Sequence, residues 1–183
     1  MLEFQDQILS KVDALLQDRK SLPVISELGF FSKPFRLNSE GFNVVVKTYR
    51  PTTDWKFLER LIEHHDKYAT SLRTLGVRVP KTVASIRAIN GKFVLVLIQE
   101  PFDDAELLRG QMMTCDADRY VELFEMIFQA AVAFCKARPD DRSIGFHPTL
   151  RNYAVRNGEL WYFDTFPPML CSQPELNRLI LRM

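Results

Sequence analysis

With 183 residues, 46% of them hydrophobic and 26% charged, the chain can bury a sizeable core and lacks the long polar tracts of a disordered protein. A formal net charge of +1 gives no global electrostatic reason to bind nucleic acid or an anionic membrane. Cys115, Cys135 and Cys171 are odd in number, widely spaced and without a CxxC pair, which speaks against a disulfide framework or a cysteine zinc site and fits reduced thiols in a cytoplasm.

The opening MLEFQDQILSKVDALLQDRK carries charge throughout and has no apolar run of signal-peptide type. Its Leu2, Ile8, Leu9, Val12, Leu15 and Leu16 recur at helical spacing, predicting an amphipathic helix that Pro23 ends. PVISELGFFSKPFRL reads as a short strand, a turn region and a second strand, followed by a turn over Asn38-Ser39-Glu40-Gly41 in which glycine can take positive φ. FNVVVKTY, Phe42 to Tyr49, reads as a central strand, because three consecutive valines suit a pleat covered on both faces. Asp54 is placed to cap a helix over roughly 55–75, with Phe57, Leu58, Leu61, Ile62, Tyr68 and Leu72 as its buried stripe and Gly76 just past its end.

VPKTVASIRAI and KFVLVLIQEPF, joined by Asn90-Gly91, give a strong hairpin signal. The longest apolar run, Phe93 to Ile98, is strand-length and too short to cross a bilayer. A second helix is predicted from near Asp116 to about Ala137; apolar on most sides, it is expected to be buried, and Pro139 closes it. Two short strands, around Tyr153–Arg156 and Leu160–Phe163, flank a second Asn-Gly, and PELNRLILRM predicts a final short helix. Strands and helices segregated in this way indicate an α+β fold, not a doubly wound parallel sheet.

Lys47 is the one charge inside FNVVVKTY. It reads either as an edge-strand lysine reaching water or as a cation at the floor of a cleft, paired with a carboxylate of the following helix. Glu59 and Glu63 share one face of that helix, four residues apart. In FHPTLRNYAVRNGELWYFDTFPP, pairing around Asn157-Gly158 brings Asn152 and Asp164 to the same open end of the hairpin. An amide oxygen and a carboxylate converging there suit Mg²⁺, which keeps waters and takes few protein ligands. The plainer alternative is that Asn152 caps a turn and Asp164 receives backbone N–H bonds. His64 and His65 read as a solvated or partly packed pair. Arg138, Arg142 and Arg151 read as surface partners of Asp140 and Asp141, or as an anion site. Phe30, Phe31 and Phe35 read as core residues before they read as a stacking surface.

In this order, a strand lysine, an acidic helix, a hairpin ending in Gln99-Glu100-Pro101, then Asn152 and Asp164, the chain resembles the protein kinase and aminoglycoside-phosphotransferase superfamily over roughly residues 24–170. YFDTFPP looks closer to small bacterial kinase-like proteins than to eukaryotic kinases. The resemblance implies an N-terminal lobe of antiparallel sheet and long helix over about 1–101, and a reduced, mostly helical C-terminal lobe over about 102–183 of a single domain. It implies ATP and Mg²⁺ as cofactors. Lys47 is then the phosphate lysine, Glu63 its partner with Glu59 in reserve, and Glu100-Pro101 the hinge that grips adenine. Asn152 and Asp164 become the metal ligands. The phosphate-binding loop falls on Leu28-Gly29-Phe30-Phe31-Ser32-Lys33, where Gly29 is the one glycine and Ser32 a phosphate contact.

Three departures stand out, the first being the single glycine of that loop where the family uses several, which leaves few backbone amides to approach phosphates. His147 occupies the place of the catalytic aspartate, five positions before the asparagine, where imidazole can accept a hydroxyl proton near neutral pH or simply bond to the loop backbone. Only 19 residues follow Asp164, leaving little of the usual helical half. The implied function is an ATP- and Mg²⁺-dependent phosphotransferase acting on a small hydroxylated molecule. The alternatives are an idle pseudokinase that binds nucleotide, a protein partner or a second copy, and an α+β interaction domain with no nucleotide site.

Overall fold

The computed structural model describes residues 2–17, 34–39, 41–138, 144–145, 147 and 149–172. Among them the chain is α+β, with a four-stranded antiparallel sheet, four α-helices and a small β-hairpin. No helix of the described residues is long and apolar enough to cross a membrane. The chain divides into two compact units, residues 1–62 with 81–101 and residues 63–80 with 102–183.

The first unit holds α1 (Leu2–Gln17) and strands β1 (Phe35–Ser39), β2 (Phe42–Thr48), β3 (Thr82–Ile89) and β4 (Lys92–Gln99), in the order β1-β2-β4-β3. β2 is an interior strand, as the valine run implies. The turn before it is tighter than the sequence suggested, because Asn38 and Ser39 pair with Asn43 and Phe42 inside the ladder. Gly41 takes φ of 90°, the conformation a two-residue hairpin turn requires. Asn90 and Gly91, at φ of 49° and 73°, join β3 and β4 in the same way. Alternation then sorts the side chains. Phe42, Val44 and Val46 of β2 and Val94, Val96 and Ile98 of β4 pack with Ile8, Leu9, Val12 and Leu16 of α1 in one core. Each such side chain, once fully buried, contributes about 1.5–3 kcal/mol of transfer free energy. An ion pair between Arg87 of β3 and Asp13 of α1 fixes the helix to that face.

The helix α2 (Trp55–Thr74) contributes residues to both units. Asp54 caps it, its Oδ1 accepting the Phe57 N–H at 2.9 Å, and Gly76 follows its end at φ of 81°. The expected stripe needs correction. Leu58, Tyr68 and Leu72 are buried with His65 and Ala69, whereas Phe57 is exposed and leans on Tyr49.

In the second unit a 3-10 turn (Asp104–Glu106) leads into α3 (Leu108–Thr114), which the sequence did not announce because it is short and contains Gly110. α4 (Ala117–Ala137) begins at Asp116, whose side chain accepts the Arg119 N–H. The expectation that α4 is a buried helix holds for one face only. Leu123, Ile127 and Phe134 are buried, but Tyr120, Val121, Phe124 and Phe128 are exposed. β5 (Tyr153–Arg156) and β6 (Glu159–Tyr162) close the unit around Asn157-Gly158, both at positive φ, one residue earlier in the second strand than predicted. The core of this unit joins Tyr68, Leu72, Leu108, Leu123, Ile127, Phe134, Tyr153 and Tyr162.

Candidate functional site

The hairpin geometry holds as the Asn-Gly signal required. Tyr153 pairs with Tyr162, and the Phe163 N–H donates to the Asn152 carbonyl at 3.0 Å, extending the ladder by one rung. Asn152 therefore sits at the open end of the hairpin, and Asp164 follows immediately on the other strand. Asn152 is only 5% exposed and Asp164 is half-buried.

The loop that precedes Asn152 is tied down at nearly every described residue. Gly145 N–H donates to the Met169 carbonyl at 2.8 Å, and the Tyr68 hydroxyl donates to the Gly145 carbonyl at 2.7 Å. His147 N–H donates to the Tyr162 hydroxyl at 3.2 Å. The His147 carbonyl accepts both the Thr149 N–H at 2.8 Å and Asn152 Nδ2 at 3.0 Å. An asparagine held through its nitrogen directs its carbonyl oxygen elsewhere, so Oδ1 is the atom suited to meet a hard cation. His147 Nδ1 lies 3.5 Å from the same amide nitrogen.

Burial raises the Tyr68 and Tyr162 hydroxyls far above the usual phenol range, and the Asp164 carboxylate adds to the effect on both. A hydrogen bond joins these two hydroxyls. Both stay neutral donors and acceptors at any physiological pH, which suits them to fix the loop. Sequence reading missed this pair. The signal was present: the Asn157-Gly158 register sets Tyr153 opposite Tyr162, and Tyr68 stands on the apolar stripe of α2.

The other residues singled out from the sequence distribute as follows. Lys47 belongs to the first unit, is 8% exposed, and occupies the sheet face opposite α1, in register with Leu97. The edge-strand reading of this lysine is therefore corrected, since β2 is flanked on both sides. Glu59 belongs to the first unit and Glu63 to the second, and both are exposed on α2. Glu100 N–H donates to the Lys81 carbonyl at 3.0 Å, and Pro101 has no N–H. Carbonyl oxygens are thus the main-chain groups with which this pair could meet a base. Gly29 and Ser32, with Phe30 and Phe31, lie outside the described residues, as do Asp140, Asp141 and Arg142; Phe35 is in the core.

His65 is also corrected, being buried with Nε2 3.0 Å from the Thr165 hydroxyl, while His64 Nε2 meets the Leu170 carbonyl. The pair pins the segment just after Asp164 to α2. Among the described residues no three His, Cys, Asp or Glu side chains cluster as a metal site. A cation at Asn152 and Asp164 would complete its shell with water and ligand oxygens, as Mg²⁺ commonly does.

Elsewhere in the second unit a concavity of about 390 Å³ is lined by Val77, Met126, Gln129 and Tyr153 and rimmed by the Arg78–Glu159 ion pair. None of His147, Asn152 and Asp164 lines it. No curated protein matches this sequence. A family match does cover it, over residues 10–183, and the chain belongs to that family, a family of unknown function (DUF6206).

Proposed function

We propose that the chain binds a magnesium–nucleotide complex and transfers phosphate to a small hydroxylated molecule. The supporting observation is the placement of Asn152 and Asp164 at one open end of the β5–β6 hairpin, on a loop fixed by two neutral tyrosines. In this reading Asn152 and Asp164 hold Mg²⁺, which neutralises phosphate charge when bound. Lys47, a cation on an interior strand, is the phosphate lysine, and Glu63 its partner, with Glu59 in reserve. Gly29 and Ser32 belong to the phosphate loop, and Glu100 to the adenine-binding hinge. His147 is the group that accepts the hydroxyl proton.

A second reading, an idle nucleotide-binding protein, draws support from His147 itself. Its N–H and carbonyl both anchor the loop, which explains the residue without any proton transfer.

Thermal unfolding with and without Mg-ATP tests both readings. A ligand that binds only the folded state stabilises it by about 2.7 kcal/mol at a hundred times its Kd. The expected result is a raised midpoint that disappears in Asp164→Asn. No shift at millimolar nucleotide sinks both readings. ATP turnover that falls in His147→Ala, with the thermal shift retained, separates the active reading from the idle one.

A further inference from the structure

One stripe of α4 is unexplained by the core. Tyr120, Val121, Phe124 and Phe128 are 46%, 54%, 54% and 62% exposed. Ala117 and Cys135 are exposed in line with them, and Ala131 is half-buried. Ala117, Val121, Phe124, Phe128, Ala131 and Cys135 are separated by four, three, four, three and four residues. That is the spacing of a seam along which two helices pack side by side. The charges of α4 and its caps are unevenly distributed: Asp116, Asp118, Glu122 and Glu125 outnumber Arg119, which pairs with Glu122, in its first half, and Lys136 and Arg138 stand at its far end.

We propose that this stripe is the interface of a homodimer in which α4 packs antiparallel against α4 of a second copy, about a two-fold axis near Met126. In that register Phe124 opposes Phe128 of the second copy, Val121 opposes Ala131, and Ala117 opposes Cys135. Lys136 then lies on the same flank of the seam as Asp118 of the second copy, while Glu125 comes near its own counterpart beside the axis. The helix dipoles are also opposed. A parallel pairing would place the net-negative half of one helix beside that of the other. The second copy is the occupant favoured here because seam, charge gradient and two-fold symmetry agree, and the proposal does not depend on nucleotide binding.

Size sets the strength. The four large side chains leave on the order of 400 Å² exposed per copy, taking about 150–250 Å² for each aromatic ring. With their flanks, two copies bury on the order of 1,000–1,200 Å² in total, the lower end of specific interfaces. The expected dissociation constant is therefore micromolar, on the order of 1–100 µM.

Sedimentation velocity of the full chain, from about 1 to about 300 µM, spans that range. Expected is a passage from monomer to dimer in the wild type and a monomer throughout in Phe124→Glu and in Phe128→Glu, with unchanged circular dichroism. Mild oxidation of Ala117→Cys should give a covalent dimer that the added Cys135→Ser change abolishes. A wild-type chain that stays monomeric, or a dimer indifferent to Phe124→Glu and Phe128→Glu, overturns the proposal. Cross-linking of the wild type through Cys135 alone indicates a parallel pair and overturns the register. A monomer whose Cys135 reacts with a maleimide only after removal of residues 173–183 has that segment on the stripe instead, which also overturns it.

Discussion

Asn152 stands at the open end of the β5–β6 hairpin, its amide nitrogen donating to the His147 carbonyl. Its position beside Asp164 followed from two short strands and an Asn-Gly turn, because the two-residue turn leaves one register for the hairpin. What the sequence did not disclose was the network that holds it. Tyr68 lies more than seventy positions from Gly145, and nothing local marks a phenol for a carbonyl so far away. Tyr68→Phe removes that donor and leaves a buried carbonyl unpaired, so unfolding in denaturant should show a loss of about 1–3 kcal/mol. A loss below a few tenths would mean the hydroxyl does not hold the loop. Glu106 offers a second residue-scale test. Arg156 lies 2.6 Å from its carboxylate and holds it below the ordinary value of 4.5. The pair's contribution is full above that value and is lost as pH falls through the lowered folded-state value. Glu106→Gln should therefore be less stable than the wild type at neutral pH, and the two should converge in acid. Parallel pH–stability curves would contradict this.

Elements were the most legible level, and their errors are instructive. The Asp54 cap and the start of α4 near Asp116 were readable because a short polar side chain stood just before a periodic apolar run, and the structure makes both residues caps. Asp116→Ala should cost about 1 kcal/mol and Leu123→Ala about 2–5 kcal/mol, since the first removes one terminal hydrogen bond and the second opens a core cavity. Denaturant melts of the two variants check the ranking, and a reversed order would show that α4 is not anchored through Leu123. The burial of α4 was misread because high apolar content says how much of a helix avoids water, not what covers it. Phe124 and Phe128 read as core by composition and lie outside it by structure. Of the two readings of Lys47 the edge-strand one fails, because pairing on both sides makes β2 interior, as its valine run implied. α3 went unseen because seven residues with a glycine carry too little periodicity to separate a helix from a loop.

For the whole molecule, the segregation of strands from helices gave the α+β class: the Asn-Gly hairpins dictate antiparallel neighbours, and β2 and β3, which do run parallel, are joined through α2 and separated by β4. Function is a harder inference, since it depends on side chains dispersed along the chain from Lys47 to Asp164. The family match extends over nearly the whole sequence without supplying an activity. The central claim is that Asn152 and Asp164 jointly hold a nucleotide-bound metal, and Mn²⁺ in place of Mg²⁺ reports on it directly. Electron paramagnetic resonance of Mn²⁺ titrated into the protein with and without ATP counts the bound metal. Expected is one Mn²⁺ per chain that requires ATP and is lost in both Asn152→Ala and Asp164→Ala. Equal Mn²⁺ uptake by the wild type and both variants, or none with ATP present, would contradict it.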